Sequence, residues 1–280
     1  MAATVDLLIL GAGWTSTFLI PLCKSRGISY AATSRTGRDD TIAFEFDPHS
    51  LNPKPFQALP NAQTVLITFP IKIGGASERL VKLFQQTHGE GPKTAFIQLG
   101  STGIWDGGPT LQGGDHVWTD RHSKFDETND RAKAEMELLA LSPEVPTTVL
   151  DLCGLWGGQR QPRNWVSRVA PTKEALKKKG SIHLIHGLDV SRAVLAVHEH
   201  FNRASGERWL LTDLRVYDWW DLASAWGEEG KQPRWVKELM KDEGIRALPR
   251  SPETIGRAMD SREFWATFEL EPVKVRLGEE

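Results

Sequence analysis

Gly11-Ala12-Gly13-Trp14-Thr15-Ser16 is the first stretch whose residue types and spacing could do chemistry. Gly11 and Gly13 stand where the G-x-G-x-x-G dinucleotide fingerprint has its first two glycines: one permits a tight turn, the other lets the backbone approach a pyrophosphate. Ser16 takes the third position, where a small side chain still packs between helix and strand. The helix that opens behind Trp14 and Thr15 offers N–H groups and a favourable dipole to a phosphate. The same glycines would also serve an ordinary strand-to-helix turn. About twenty residues further on, an NAD site places an acid on the ribose hydroxyls, but this chain has Ala31-Ala32-Thr33-Ser34-Arg35-Thr36, and Asp39 and Asp40 come too late. Ser34, Arg35 and Thr36 offer hydroxyls and a guanidinium, which suit a 2′-phosphate. The expected cofactor is therefore NADP(H) rather than NAD(H); the alternative leaves Arg35 in a solvated loop beside Arg38. Thr68, Phe69, Pro70 and Gly100, at the exits of two later apolar runs, complete the expected cofactor contacts.

A second group follows Gly100. Ser101 and Thr102 end an apolar run, and α/β sheets bind ligands at the carboxyl ends of their strands; capping of the next turn is the other use of such residues. The segment from Gly100 to His122 is long and glycine-rich, as functional or mobile loops are. Its acids and imidazoles, Asp106, Asp115, His116, Asp120 and His122, are candidate proton carriers, with His122 preferred because its ordinary pKa lies near neutrality. The alternative, an exposed loop histidine beside Arg121, is the more frequent use of such a residue. No group of residues has metal-ligand spacing, so no metal is expected.

These residues need elements to hold them. Near-continuous apolar runs at 5–10, 28–33, 64–68, 94–99 and 147–152 read as strands buried on both faces of a parallel sheet, joined by crossovers. Helical periodicity returns at 190–201, 218–226 and 232–240, a strand at 207–211, and Ser251-Pro252-Glu253-Thr254 reads as a helix start. The chain of 280 residues carries 34 Lys+Arg against 36 Asp+Glu, a net charge of -2, which argues against nucleic acid or a membrane surface as a partner. Two cysteines, Cys23 and Cys153, make no disulfide framework. With no leader-like or membrane-spanning run, the expected location is cytoplasmic. Eleven Trp but only two Tyr, Tyr30 and Tyr217, leave few candidates for any mechanism that needs a phenol.

The glycine turn, Ser101-Thr102-Gly103-Ile104-Trp105, the helix with Arg131-Ala132-Lys133-Ala134-Glu135, Leu152-Cys153-Gly154-Leu155-Trp156-Gly157 with Arg160, and Ile185-His186-Gly187-Leu188-Asp189-Val190 resemble, in that order, the landmarks of extended short-chain dehydrogenases/reductases. The likeness is nearest to their atypical, epimerase/dehydratase-like subgroup and spans about residues 5 to 215. It implies an α/β fold: a Rossmann-type doubly wound parallel sheet over residues 1–160, with segments around 181–215 returning to it, and a smaller C-terminal substrate lobe over most of 161–280. It implies a catalytic role for Ser101, and it sets the family's Tyr-x-x-x-Lys pair on Asn129 and Lys133. Asn129 cannot be a general acid, so the family's proton donor is missing; the atypical subgroup often lacks it. Lys133 could still hold the nicotinamide ribose, or be solvated between Arg131 and Glu135. Trp105, Trp118 and Trp156 fall in segments that the resemblance places around the cleft, where indoles would suit an aromatic substrate, or else they pack in the core. Arg160 follows at about the offset of a family arginine and is expected to meet cofactor or substrate.

The leading expectation is an NADP-dependent oxidoreductase or epimerase-like enzyme acting on a small carbonyl or alcohol, aromatic if the indoles line the cleft, with the homodimer that the resemblance implies. The alternatives are a non-catalytic NADP(H) sensor, and a fold recruited to a cofactor-independent cyclisation or isomerisation.

Overall fold

A computed structural model describes residues 4–89, 93–106 and 118–277. Its centre is a seven-stranded sheet made of β1 (Thr4–Leu10), β2 (Tyr30–Ser34), β3 (Ile42–Ala43), β4 (Asn61–Ile67), β5 (Ala95–Ser101), β6 (Thr147–Leu152) and β7 (Arg208–Leu211). The order across the sheet is β7-β6-β5-β4-β1-β2-β3, and every neighbouring pair is parallel. The helices that cover it are α1 (Ser16–Arg26), α2 (Ala76–Thr87), α3 (Asp130–Leu139) and α4 (Gly187–Glu199).

Parallel pairing demands both faces be covered, and the residues of β1 show how this is met. Leu7 and Ile9 point into one apolar layer with Leu19 and Cys23 of α1 and Val190, Val194 and Val197 of α4. Leu8 and Leu10 point into the other, with Leu80, Val81 and Phe84 of α2 and Ala134 and Leu138 of α3. Alternation along a strand sends neighbours to opposite faces, which is why the whole run must be apolar. The sheet is thus doubly wound, and the strand order reverses between β1 and β4. That reversal opens a crevice at the carboxyl ends of those strands.

A separate apolar cluster joins Val166, Ala170 and Leu176 to Trp219, Trp220, Leu222, Val236 and Leu239, the last five carried by α5 (Trp219–Trp226) and α6 (Gln232–Asp242). Ser251 does not open a helix: Pro252–Thr254 forms a single 3-10 turn. Among the described residues no helix is long and apolar enough to cross a membrane.

Candidate functional site

The crevice at the strand-order reversal is a cavity of about 670 Å³. The ends of β1, β2, β4, β5 and β6 line it. After β1 the chain turns through Gly11, at φ +95°, into the α1 N-terminus. Gly11 N–H donates to Thr33 Oγ1 at 3.0 Å, and Thr68 Oγ1 donates to the Gly11 carbonyl at 2.6 Å, so β2 and β4 both pin the turn. A Cβ on Gly11 would lie 2.7 Å from Thr68 Oγ1, whereas one on Gly13 would meet nothing within 4 Å. The first glycine serves the turn and the second keeps the cavity side of the turn bare. Ser16 is buried and, among the described residues, its Oγ has no hydrogen-bond partner, so it packs as a small residue rather than lining the cavity.

Gly11, Gly13, Trp14, Thr15, Ser34, Arg35, Thr36, Thr68, Phe69, Gly100, Ser101 and Arg160 all line the cavity; Pro70 is exposed and does not. At the β2 end, Arg35 and Thr36 are exposed, while Ser34 Oγ is already engaged with Thr41 Oγ1 at 2.7 Å and with the Arg38 N–H at 3.1 Å. Arg38 adds a second guanidinium there, reaching the Ala12 carbonyl at 3.3 Å.

At the other end the expected catalytic set disperses. Asn129 is the N-cap of α3, its Oδ1 accepting from the Arg131 N–H at 2.9 Å. That phase turns Lys133 outward, 3.6 Å from Asp130, and brings Arg131 into the cavity wall. Arg131 Nη2 donates to the Leu99 and Gly100 carbonyls at 3.0 and 3.2 Å. The i, i+4 pair facing the strand end is thus Arg131 and Glu135. Thr102 is buried behind the wall, its hydroxyl 3.4 Å from the Leu152 carbonyl. His122 lies on the surface in a 2.8 Å contact with Glu263. Asp115 and His116 lie outside the described residues. Trp105 and Trp156 are core residues with no exposed surface, and Trp118 is exposed away from the cavity. Indoles therefore do not line it apart from Trp14, and the case for an aromatic substrate loses its basis.

Beneath Ser101 lies a buried ionic cluster. Arg208 Nη1 donates to Glu135 Oε2 at 2.6 Å and to Asp151 Oδ2 at 3.0 Å. The Ser101 N–H points at Asp151 Oδ1, 2.8 Å away, and Glu135 Oε1, 3.2 Å away. Burial first, and the Asp151 charge second, push the Glu135 carboxyl up to about 8, and burial raises Asp151 as well. A Cβ on Gly100 would overlap both carboxylates, so only glycine lets the strand pass this close.

Registers of β5, β6 and β7 align Ser101 with Leu152 and Leu152 with Leu211. Cys153, in the cavity wall, and Asp213 therefore follow adjacent strand ends. Tyr217 donates its phenol proton to Asp213 Oδ2 at 2.6 Å. Burial pushes the Asp213 carboxyl up to about 7, and burial first, then the Asp213 charge, raise the Tyr217 phenol. An acid whose folded pKa is raised from 3.8 to about 7 keeps a proton that the unfolded chain has released, so stability falls as pH rises across that window and the loss is complete above it. Asp213→Asn removes this loss: relative to wild type it should gain about 2–3 kcal/mol between pH 5 and pH 8, read by urea unfolding at the two pH values. A pH-independent difference would contradict the raised carboxyl.

No protein-family model matches the chain, and no curated protein sequence matches it. Solved structures do. Vestitone reductase from alfalfa, Medicago sativa, superposes with a TM-score of 0.68 at 16% identity, covering 98% of this chain and 95% of that one. MoeE5 in complex with UDP-glucose and NAD gives 0.61 at 17% identity over 95% and 93% of the two chains. RMD from Pseudomonas aeruginosa, complexed with NADPH, gives 0.57 at 12% identity over 95% and 93%. The chain has the Rossmann-like α/β fold that these structures share.

Proposed function

We propose that the chain is an NADP(H)-dependent oxidoreductase or epimerase-like enzyme that acts on a small carbonyl or alcohol. The observation that carries this reading is the continuity of the cavity, from Arg35 and Arg38 at the end of β2, over the bare glycine turn, to Ser101 and Arg131 at the end of β5. The residues fit a dinucleotide: two guanidiniums at the ribose end, a turn with glycine at positions 11 and 13 for the diphosphate, and polar groups beyond it. A nicotinamide bound there supplies or accepts hydride. The neighbours with NAD and with NADPH support the cofactor class; Arg35 and Arg38 support NADP(H) within it, because guanidiniums match a phosphate dianion and no acid stands on the second strand.

Arg131 gives the substrate end its character. Its Nη2 is held by two backbone carbonyls, which fixes the charge where a substrate carbonyl or carboxylate would meet it. A guanidinium held there donates hydrogen bonds that polarise an oxygen. The test is equilibrium binding of NADPH and NADH to wild type and to an Arg35→Ala, Arg38→Ala variant. The variant should lose NADPH affinity by about tenfold to a hundredfold, the cost of one or two charge-assisted phosphate contacts, with NADH little changed. Equal losses for both would refute the 2′-phosphate assignment.

One observation favours a second reading. Among the described residues, no Tyr, Lys or His lines the cavity, as a non-catalytic NADP(H) sensor would allow. Such a protein binds the cofactor without turning it over on any carbonyl.

A further inference from the structure

Gly157 to Arg160 forms a tight turn outside the main sheet, closed by Gly157 N–H to the Arg160 carbonyl at 2.9 Å and Arg160 N–H to the Gly157 carbonyl at 3.1 Å. Gly157 at φ +113° and Gly158 at φ +55° take backbone conformations that favour glycine. A Cβ on Gly157 would also overlap the His186 ring. The turn is fastened to the segment that follows β1 by Trp14, whose Nε1–H donates to the Gly157 carbonyl at 3.1 Å. Trp14 is itself seated edge-on against Phe18, with ring centroids 5.0 Å apart, and Phe18 against His186 at 5.1 Å. His186 accepts from the Leu188 N–H and so caps α4. Glycine turn, α1 and α4 thus converge to hold four residues in place.

What they present is Arg160. Its guanidinium carbon lies 4.4 Å from the centroid of the Trp14 ring, and both residues line the cavity beside Gly11 and Gly13. Among the described residues no carboxylate pairs with Arg160, in contrast to Arg121, Arg208 and Arg250, whose guanidiniums also lie over aromatic rings and each pair with at least one acid. A guanidinium on an indole keeps its edge available for two parallel hydrogen bonds to an anion.

We propose that Arg160 is a clamp on the diphosphate of the bound dinucleotide, reaching it from beside Trp14 at the edge of the glycine turn. This rests on the cofactor reading above and assigns Arg160 to the cofactor rather than to the substrate. The clamp supplies the positive charge that the turn itself lacks, because Gly11 to Ser16 contains no basic residue. The indole also makes the position specific for arginine, since an ammonium neither lies flat on the ring nor offers a fork to two oxygens.

The experiment compares wild type, Arg160→Ala and Arg160→Lys in equilibrium binding of three compounds: NADPH, 2′-phospho-ADP-ribose, which keeps the diphosphate but has no nicotinamide, and 2′-AMP, which has no diphosphate. Arg160→Ala should weaken the first two by about tenfold or more and leave 2′-AMP within twofold, with Arg160→Lys recovering only part of the loss. Unchanged binding of all three by Arg160→Ala would overturn the clamp while leaving the cofactor reading intact. An equal loss of 2′-AMP would overturn it too, because the turn would then be acting on the shape of the whole cavity. Failure of wild type to bind any of the three would remove the cofactor reading and the clamp with it.

Discussion

Arg208→Met should lower the unfolding free energy by about 3–5 kcal/mol, the usual cost of removing one partner from a buried ion pair. Arg208 is the cation that faces both Glu135 and Asp151 within hydrogen-bonding distance, and both acids are wholly buried. Arg131 reaches only the edge of the cluster, its Nε 3.7 Å from Glu135. Without Arg208 the two carboxyls face each other at low dielectric, and their proton affinity rises further. The loss should therefore depend on pH in a definite sense. At a given pH the folded variant holds more of these protons than the folded wild type, whose carboxyls are already raised, so its deficit grows as pH rises from 5 towards 8. Urea unfolding at the two ends of that range measures both parts. Adding Glu135→Gln should recover part of the deficit at pH 8, because it removes one of the two carboxyls that must take up a proton on folding. A deficit below about 1 kcal/mol, or one independent of pH, would mean that the cluster is more hydrated than its burial implies.

Gly11→Val should abolish detectable binding of NADPH, with a loss of about a hundredfold or more, close to 3 kcal/mol. A β-branched residue does not adopt φ near the +95° found here without strain. Its Cβ would press on Thr68 Oγ1 at 2.7 Å and on Phe69 at 3.3 Å, displacing the hydroxyl that holds the turn. The contact that pins the turn to β4 and the backbone surface offered to a diphosphate are lost together. The sheet packing below, built on Leu7 to Leu10, is not touched, so the variant should fold.

The sheet was legible because its cause is local. A strand buried on both faces must be apolar at every position, and the runs at 5–10 and 147–152 coincide with β1 and β6 to within a residue. The glycine turn was legible for the same reason: backbone conformation is written into residue type. The substrate end was not. Asn129 was placed by counting to a motif, although an Asn just before a helix signals an N-cap; that cap rotates Lys133 out and Arg131 in. Indoles are as good in a core as in a cavity, and nothing in the residues around Trp105 or Trp156 separates the two uses. Asp213 and Tyr217 stand far along the chain from Ser101, and only the pairing of β5, β6 and β7 brings them to the same edge of the sheet. Arg38, Arg131 and Cys153 were missed as cavity residues; the acid-free second strand hinted at the first, and α3 periodicity could have given the second.

A nicotinamide dinucleotide is assigned here to the cavity at the strand-order reversal. This assignment is tested most directly by titrating wild type and Gly11→Val side by side with NADPH, following energy transfer from tryptophan to the reduced nicotinamide. Trp14 lies in the cavity wall and so reports from within it. Saturable transfer at one equivalent per chain in wild type, absent from a folded Gly11→Val, is the predicted result. No saturable transfer in wild type, or equal transfer in both proteins, would contradict it.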